Sequence, residues 1–332
     1  MPLSHAAAPE SSACSAASAR LGEPIAGTAP VAGRWLAVEQ PGPWGPRALT
    51  ESHFPRELGR ALSLKADAAG VRIALIRRPG QHAELDPGAP RQVFLADTRP
   101  GHGALWSWST ADPRTLLDLD FDVPGKAEHE AGPLLLVCTN GKRDSCCALS
   151  GRALAGWLAE DAQTDSAAVW ESDHLGGHRF SPTAVVLPTG YVYGRLDGPT
   201  AREILHEASA GRVTGNLCRG RSTWSRAGQA AELALRAELQ EHAPDAIVVR
   251  GERLLDPLPG DPARDQASAE AGAGASRSSG VERRYEVSLA AGGHRFRAVL
   301  AEAEAAEPRP ESCGKAFGTP LELRLLSLEK ED

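Results

Sequence analysis

The chain has 332 residues, with 43 acidic against 36 basic side chains and a formal charge of −7. That balance argues against nucleic acid or an acidic membrane surface as the main partner. No apolar run approaches the ~20 residues that span a bilayer, and six scattered cysteines are too few to form a disulfide framework in a chain this long.

Residues 1–24 open with alanines and serines but no basic segment, so they read as a mobile tail and not as a signal peptide. A cytoplasmic chain with reduced thiols is the expectation. "RWLAVEQ" (34–40) predicts a strand, "PGPWGP" (41–46) a rigid turn, and 53–70 a helix ending at Gly70. "VRIALIRRPG", "RQVFLADTRPG" and "ALWSWST" follow as strands, which predicts an α/β domain over 25–125.

A second unit is expected over 130–245. "GPLLLVCTN" (132–140) reads as a buried strand running into the loop "TNGKRDSCCALS". "GRALAGWLAEDA" (151–162) is amphipathic and helical, and "AAVWES" (167–172) is a short strand. "TAVVLPTGYVYGRL" (183–196) predicts a hairpin around "PTG". A helix capped by Asp197 ends at Gly211, and another covers 227–243. This order fits a thioredoxin-like layout. Residues 258–280 carry little large apolar content and read as a disordered linker. Alternating strands on either side predict a small β extension over 246–332.

The chemistry-bearing set is Cys138, eight residues, Cys147, twenty-six residues, His174, three residues, His178. Two thiolates and two imidazoles suit either tetrahedral zinc or a [2Fe–2S] cluster with mixed ligation. The glycine pair inside "HLGGH" disfavours a helix by ~2 kcal/mol relative to alanine and predicts a tight loop. Adjacent side chains diverge, so only one member of the Cys146–Cys147 pair is expected as a ligand. Cys14, Cys146, Cys218 and Cys313 read as packed thiols.

"VCTNGKRDSCC", "HLGGHRFSPTAVVLPTG", "RGRSTW" and "QAAE" resemble the sucrase/ferredoxin-like family. "CSAASARLGEPIAGTAP", "EQPGPWG" and the C-terminal "SCGK" extend the likeness over most of the chain. The resemblance implies a thioredoxin-like ferredoxin domain, preceded by a second α/β domain and followed by the β extension. It implies a [2Fe–2S] cluster held by Cys138, Cys147, His174 and His178. By analogy with Rieske centres, the histidines share one iron and the cysteines the other. The activity implied is one-electron transfer or redox sensing with an unidentified partner protein, and not glycosidase chemistry. Two rivals stand beside it: a zinc-stabilised Cys2His2 interaction module, and a thiol–disulfide oxidoreductase using Cys146 and Cys147. The second lacks the usual C-x-x-C spacing.

Lys142, Arg143, Arg179, Arg219 and Arg221 form a candidate cationic collar. Pro182 precedes a strand at a position suited to a cis peptide. Trp170 and Trp224 are expected in the core. No G-x-G-x-x-G nucleotide fingerprint occurs in a strand–helix context.

Overall fold

The computed structural model describes residues 13–83, 86, 88–122, 124–125, 127–129, 132–255 and 282–331. The first elements are α1 (Cys14–Arg20), β1 (Arg34–Glu39), α2 (Arg56–Ala68), β2 (Val71–Arg77), β3 (Arg91–Asp97), β4 (Ala104–Thr110) and β5 (Glu128–His129). Then come β6 (Leu134–Cys138), α3 (Arg152–Glu160), β7 (Val169–Ser172), β8 (Ala184–Leu187), β9 (Tyr191–Tyr193), α4 (Gly198–Ser209), β10 (Cys218–Arg221) and α5 (Arg226–Leu239). The last part comprises β11 (Ile247–Leu255), β12 (Arg283–Ala291), β13 (His294–Glu304), β14 (Arg309–Pro310), β15 (Phe317–Gly318) and β16 (Leu321–Glu331).

One mixed sheet of ten strands runs β10-β9-β8-β6-β7-β2-β1-β3-β4-β5. It contains the same pattern twice. In each half, two parallel strands are joined by a helix (β1-α2-β2 and β6-α3-β7). The first strand of each pair also takes an antiparallel neighbour, β3 or β8, which turns back into β4 or β9. The halves join through β2 and β7, antiparallel, at Ile76–Ser172 and Arg77–Glu171. Strands of the expected 25–125 and 130–245 units therefore lie in a single sheet.

Period-two alternation assigns each strand residue to a face. Leu36 and Val38 pack with α2 residues Leu58 and Leu62. Leu135 and Val137 pack with α3 and α4 through Leu154, Leu158, Ile204 and Leu205. Trp35, Ala37, Leu136, Trp170 and Val185 point the other way and form one cluster across both halves. Cys138 belongs to that shared cluster, as does Cys147. Trp170 is buried as expected, whereas Trp224 is only partly so.

The seam carries a buried ion pair. Arg77 Nε donates to Glu171 Oε2 at 2.7 Å, and the two side chains are 3% and 2% exposed. Thr139 Oγ1 donates to the same oxygen. Breaking a buried pair leaves one charge without its partner. Arg77→Met should lower unfolding stability by about 3–5 kcal/mol in urea titrations. Arg77→Met/Glu171→Leu should recover most of that loss, and equal losses in both proteins would remove the pair from the seam's energetics.

A separate antiparallel sheet runs β11-β12-β13-β16. Its apolar face packs on α5 through Ala227, Ala231 and Leu235. The expected β extension thus has strands on both sides of residues 256–281, and the linker expected at 258–280 lies outside the described residues. The N-terminal reading needs a correction. Within the 1–24 segment expected as a mobile tail, residues 14–20 form α1, with Cys14, Ala17 and Ser18 buried. Small side chains let that helix lie close to the residues after His178. Glu23 anchors it through Arg179 at 2.6 Å and Arg309 at 2.8 Å. Residues 1–12 lie outside the described set.

Candidate metal centre

Parallel pairing of β6 and β7 sets Cys138 opposite Ser172 at the carboxyl ends of both strands. The chain leaving β7 therefore passes beside Cys138 with His174 two residues on. Cys147 comes from the other side. It opens a π-helical turn, Cys147–Gly151, that leads into α3. Such turns are uncommon and recur at functional sites. A Cβ at Gly151 would lie 2.1 Å from the Cys138 carbonyl oxygen, so glycine lets the turn press against the end of β6.

The four candidate residues meet. Cys138 Sγ lies 3.9 Å from the Asp173 carbonyl oxygen, and Cys147 and His174 are close enough to shift its titration. Cys147 Sγ lies 3.4 Å from His178 Nδ1. The two imidazoles stack with centroids 4.9 Å apart and planes 25° from parallel. Asp144, Cys147 and His178 bring donor atoms within 4.8 Å of one another. The Nδ1 of His174 is buried and has no hydrogen-bond partner among the described residues.

"HLGGH" is a loop, as its glycines require. Gly176 and Gly177 both sit in the left-handed region, at φ 81° and 72°. A Cβ on Gly177 would lie 2.2 Å from Arg219 Nη2. Arg219 fills that space to donate to the Gly176 carbonyl at 2.9 Å, and Arg72 donates to the His174 carbonyl at 3.1 Å. A buried guanidinium and a half-buried one thus hold the loop in shape. The Ser181–Pro182 peptide that follows is cis, as the sequence suggested.

Hydrogen bonding from Cys147, working against burial and helped by His174, holds Cys138 well below the ordinary thiol range. Cys147 is pushed up by the same sharing and by burial. Burial, then the neighbouring His174, lowers the pKa of His178 and keeps its imidazole neutral. Thiolate and neutral imidazole are the forms that ligate metals.

The expected cationic collar is not one surface. Lys142 and Arg143 are exposed, and Arg179 is committed to Glu23. Arg219 and Arg221 are each 1% exposed. Arg219 braces the histidine loop, while Arg221 pairs with Asp245 at 2.7 Å. Arg143 instead borders a 660 Å³ cavity with Arg47, Arg56, Arg60, Asp173 and His174.

A family model described as sucrase/ferredoxin-like matches residues 25–220. The chain belongs to the sucrase/ferredoxin-like family. The match takes in both halves of the large sheet and all four candidate ligands. No curated protein and no solved structure matches the chain.

One feature of the fold escaped the sequence reading. Cys14, Cys146 and Cys313, read as separate packed thiols, gather around Asp144. Only the closeness of Cys146 to Cys147 hinted at it, because the other two cysteines come from the two ends of the chain.

Proposed function

We propose that this chain is a [2Fe–2S] protein, acting as a one-electron carrier or redox sensor. Cys138, Cys147, His174 and His178 would hold the cluster. The observation that carries the reading is the meeting of two thiols and two imidazoles at the paired ends of β6 and β7, in a chain of a ferredoxin-like family. The donor set fits the group. Soft thiolates and imidazoles are its known ligand types, and the buried Nδ1 of His174 lacks any other partner among the described residues. When bound, the cluster accepts and returns single electrons.

The chain's own residues supply the rest. Cys138 presents a thiolate, and burial keeps His178 in its neutral form. Arg219 and Arg72 fix the histidine loop and set positive charge near it. His174 borders the cavity lined by Arg47, Arg56, Arg60 and Arg143, which offers a redox partner a cationic approach. The stacking of His174 on His178 supports both imidazoles sharing one iron. The β6-α3-β7-β8-β9 order, with β6 parallel to β7, supports a thioredoxin-like ferredoxin unit. Among the described residues no helix is long and apolar enough to cross a membrane. The free cysteines suit a reducing compartment, and on that ground we place the chain in the cytoplasm.

A zinc-binding module is the second reading. It is favoured by the closeness of Asp144, Cys147 and His178, whose donors would also surround a single ion. Metal content separates the two. Protein purified without oxygen should contain iron and acid-labile sulfide in equal amounts, with visible bands that bleach on dithionite. A colourless protein whose Cys138 and His178 hold zinc would replace the iron reading.

A further inference from the structure

We infer a second metal site, a mononuclear zinc centre built from Cys14, Cys146, Cys313 and Asp144. Its three cysteines are separate from the four residues assigned to the cluster; Asp144 also lies within reach of Cys147 and His178, so it serves as fourth donor here where those four hold a cluster. The three sulfurs form a closed triangle. Cys14 lies 3.6 Å from Cys146, Cys146 lies 3.1 Å from Cys313, and Cys313 lies 3.6 Å from Cys14. A carboxylate oxygen of Asp144 is 3.8 Å from Cys14 Sγ.

These spacings select the chemistry. Tetrahedral zinc with bonds of about 2.3 Å to sulfur sets neighbouring sulfurs roughly 3.8 Å apart. The triangle is close to that size. A disulfide needs sulfurs about 2.05 Å apart, and all three thiols are free. A three-sided arrangement also has no reason to form around one disulfide, which uses two sulfurs. A four-iron cluster puts each thiolate on a different iron and would spread the sulfurs much further.

Asp144 completes the donor set. Its Oδ2 accepts from Ser312 Oγ at 2.7 Å and from the Cys313 N–H at 2.8 Å. Its Oδ1 accepts from the Cys146 N–H at 2.8 Å and faces the Cys14 thiol at 3.9 Å, a contact that ends when that thiol gives up its proton to bind a metal. A carboxylate oxygen has about two lone-pair sites, so Oδ1 keeps one for a metal. The same hydrogen bonds hold Cys146 and Cys313 in place before any ion binds. Cys14 and Cys146 are 0% and 5% exposed, while Cys313 is partly exposed and gives an ion a way in.

The ligands come from three distant parts of the chain. Cys14 begins α1, Cys146 directly precedes the cluster ligand Cys147, and Cys313 lies between β14 and β15. An ion here would tie both ends of the chain to the loop that carries Cys147. The neighbouring residues Cys146 and Cys147 would serve different sites.

The test uses the full chain and zinc itself. In Cys138→Ser/His178→Ala protein, with the first site disabled, zinc should remain at about one ion per chain with a sulfur-rich tetrahedral X-ray absorption signature. Cys14, Cys146 and Cys313 should resist alkylation until a chelator removes that zinc. Cys313→Ser, at a partly exposed position, should lose zinc while the iron content and visible spectrum of an otherwise wild-type chain persist. Zinc that vanishes with Cys138 and His178, iron bound by Cys14, Cys146 and Cys313, or a disulfide among those three in protein purified without oxygen would each overturn the assignment. The alkylation and absorption measurements need no variant at the new site, so a misfolded Cys313→Ser protein would not obscure the answer.

Discussion

Cys138→Ser, Cys147→Ser, His174→Ala and His178→Ala proteins should each lose most of their iron and visible absorbance, while Cys146→Ser keeps both. Serine offers a hard hydroxyl where the iron reading needs a soft thiolate. At position 138 it also replaces a thiol that its surroundings already hold toward the thiolate form. Removing His174 takes away an imidazole whose Nδ1 has no other role among the described residues. Removing His178 takes away the ring stacked on it and the contact to Cys147. Cys146 is 5% exposed but faces Cys14, Ser15 and Cys313. Its loss should therefore affect the zinc content and spare the iron. Iron and sulfide assays, with circular dichroism as the check on folding, read the series. Bleaching by Cys146→Ser with a coloured Cys147→Ser protein would move the ligand by one residue and sink the assignment.

Much of this site was legible because its parts lie on regular elements. "LLLVC" is an unbroken apolar run, so a buried strand ending at Cys138 followed from the residues themselves. The glycine pair in "HLGGH" specified a loop, and the loop is there. What was not legible depends on contacts far apart in sequence. Arg219 reads as a surface cation, since nothing beside it reveals that Gly177 leaves room for a guanidinium. The apolar alternation of "VRIALIR" and "AAVWES" marks two strands, but it does not show that they pair to fuse two halves into one sheet. Residues 14–20 look like low-complexity tail because alanine and serine carry little periodic signal. Their order comes from close packing and from Glu23, whose partners Arg179 and Arg309 lie 156 and 286 positions away.

The reduction potential should lie well above about −400 mV, the level of plant-type ferredoxins, and toward the Rieske range of about −150 to +300 mV. Charge sets this direction. Two ferric ions, two sulfides and two thiolates sum to zero when both imidazoles are neutral, and burial favours the neutral form of His178. Two more thiolates in place of the imidazoles would leave a dianion. Adding an electron to a neutral centre costs less than adding one to a dianion, most of all in a buried site where charges are weakly screened. Arg219 and Arg72 act in the same direction, since their positive charge is held close to the histidine loop. His178→Cys isolates the effect of ligand charge. It keeps a metal-binding donor at the position and adds one negative charge, so its potential should be lower than that of the wild-type protein. Spectroelectrochemical titration of both proteins at one pH makes the comparison, with iron and sulfide content confirming that each remains loaded. An unchanged potential in a fully loaded His178→Cys protein would show that residue 178 is not bound to iron. A wild-type value near that of plant-type ferredoxins would argue against ligation by either histidine.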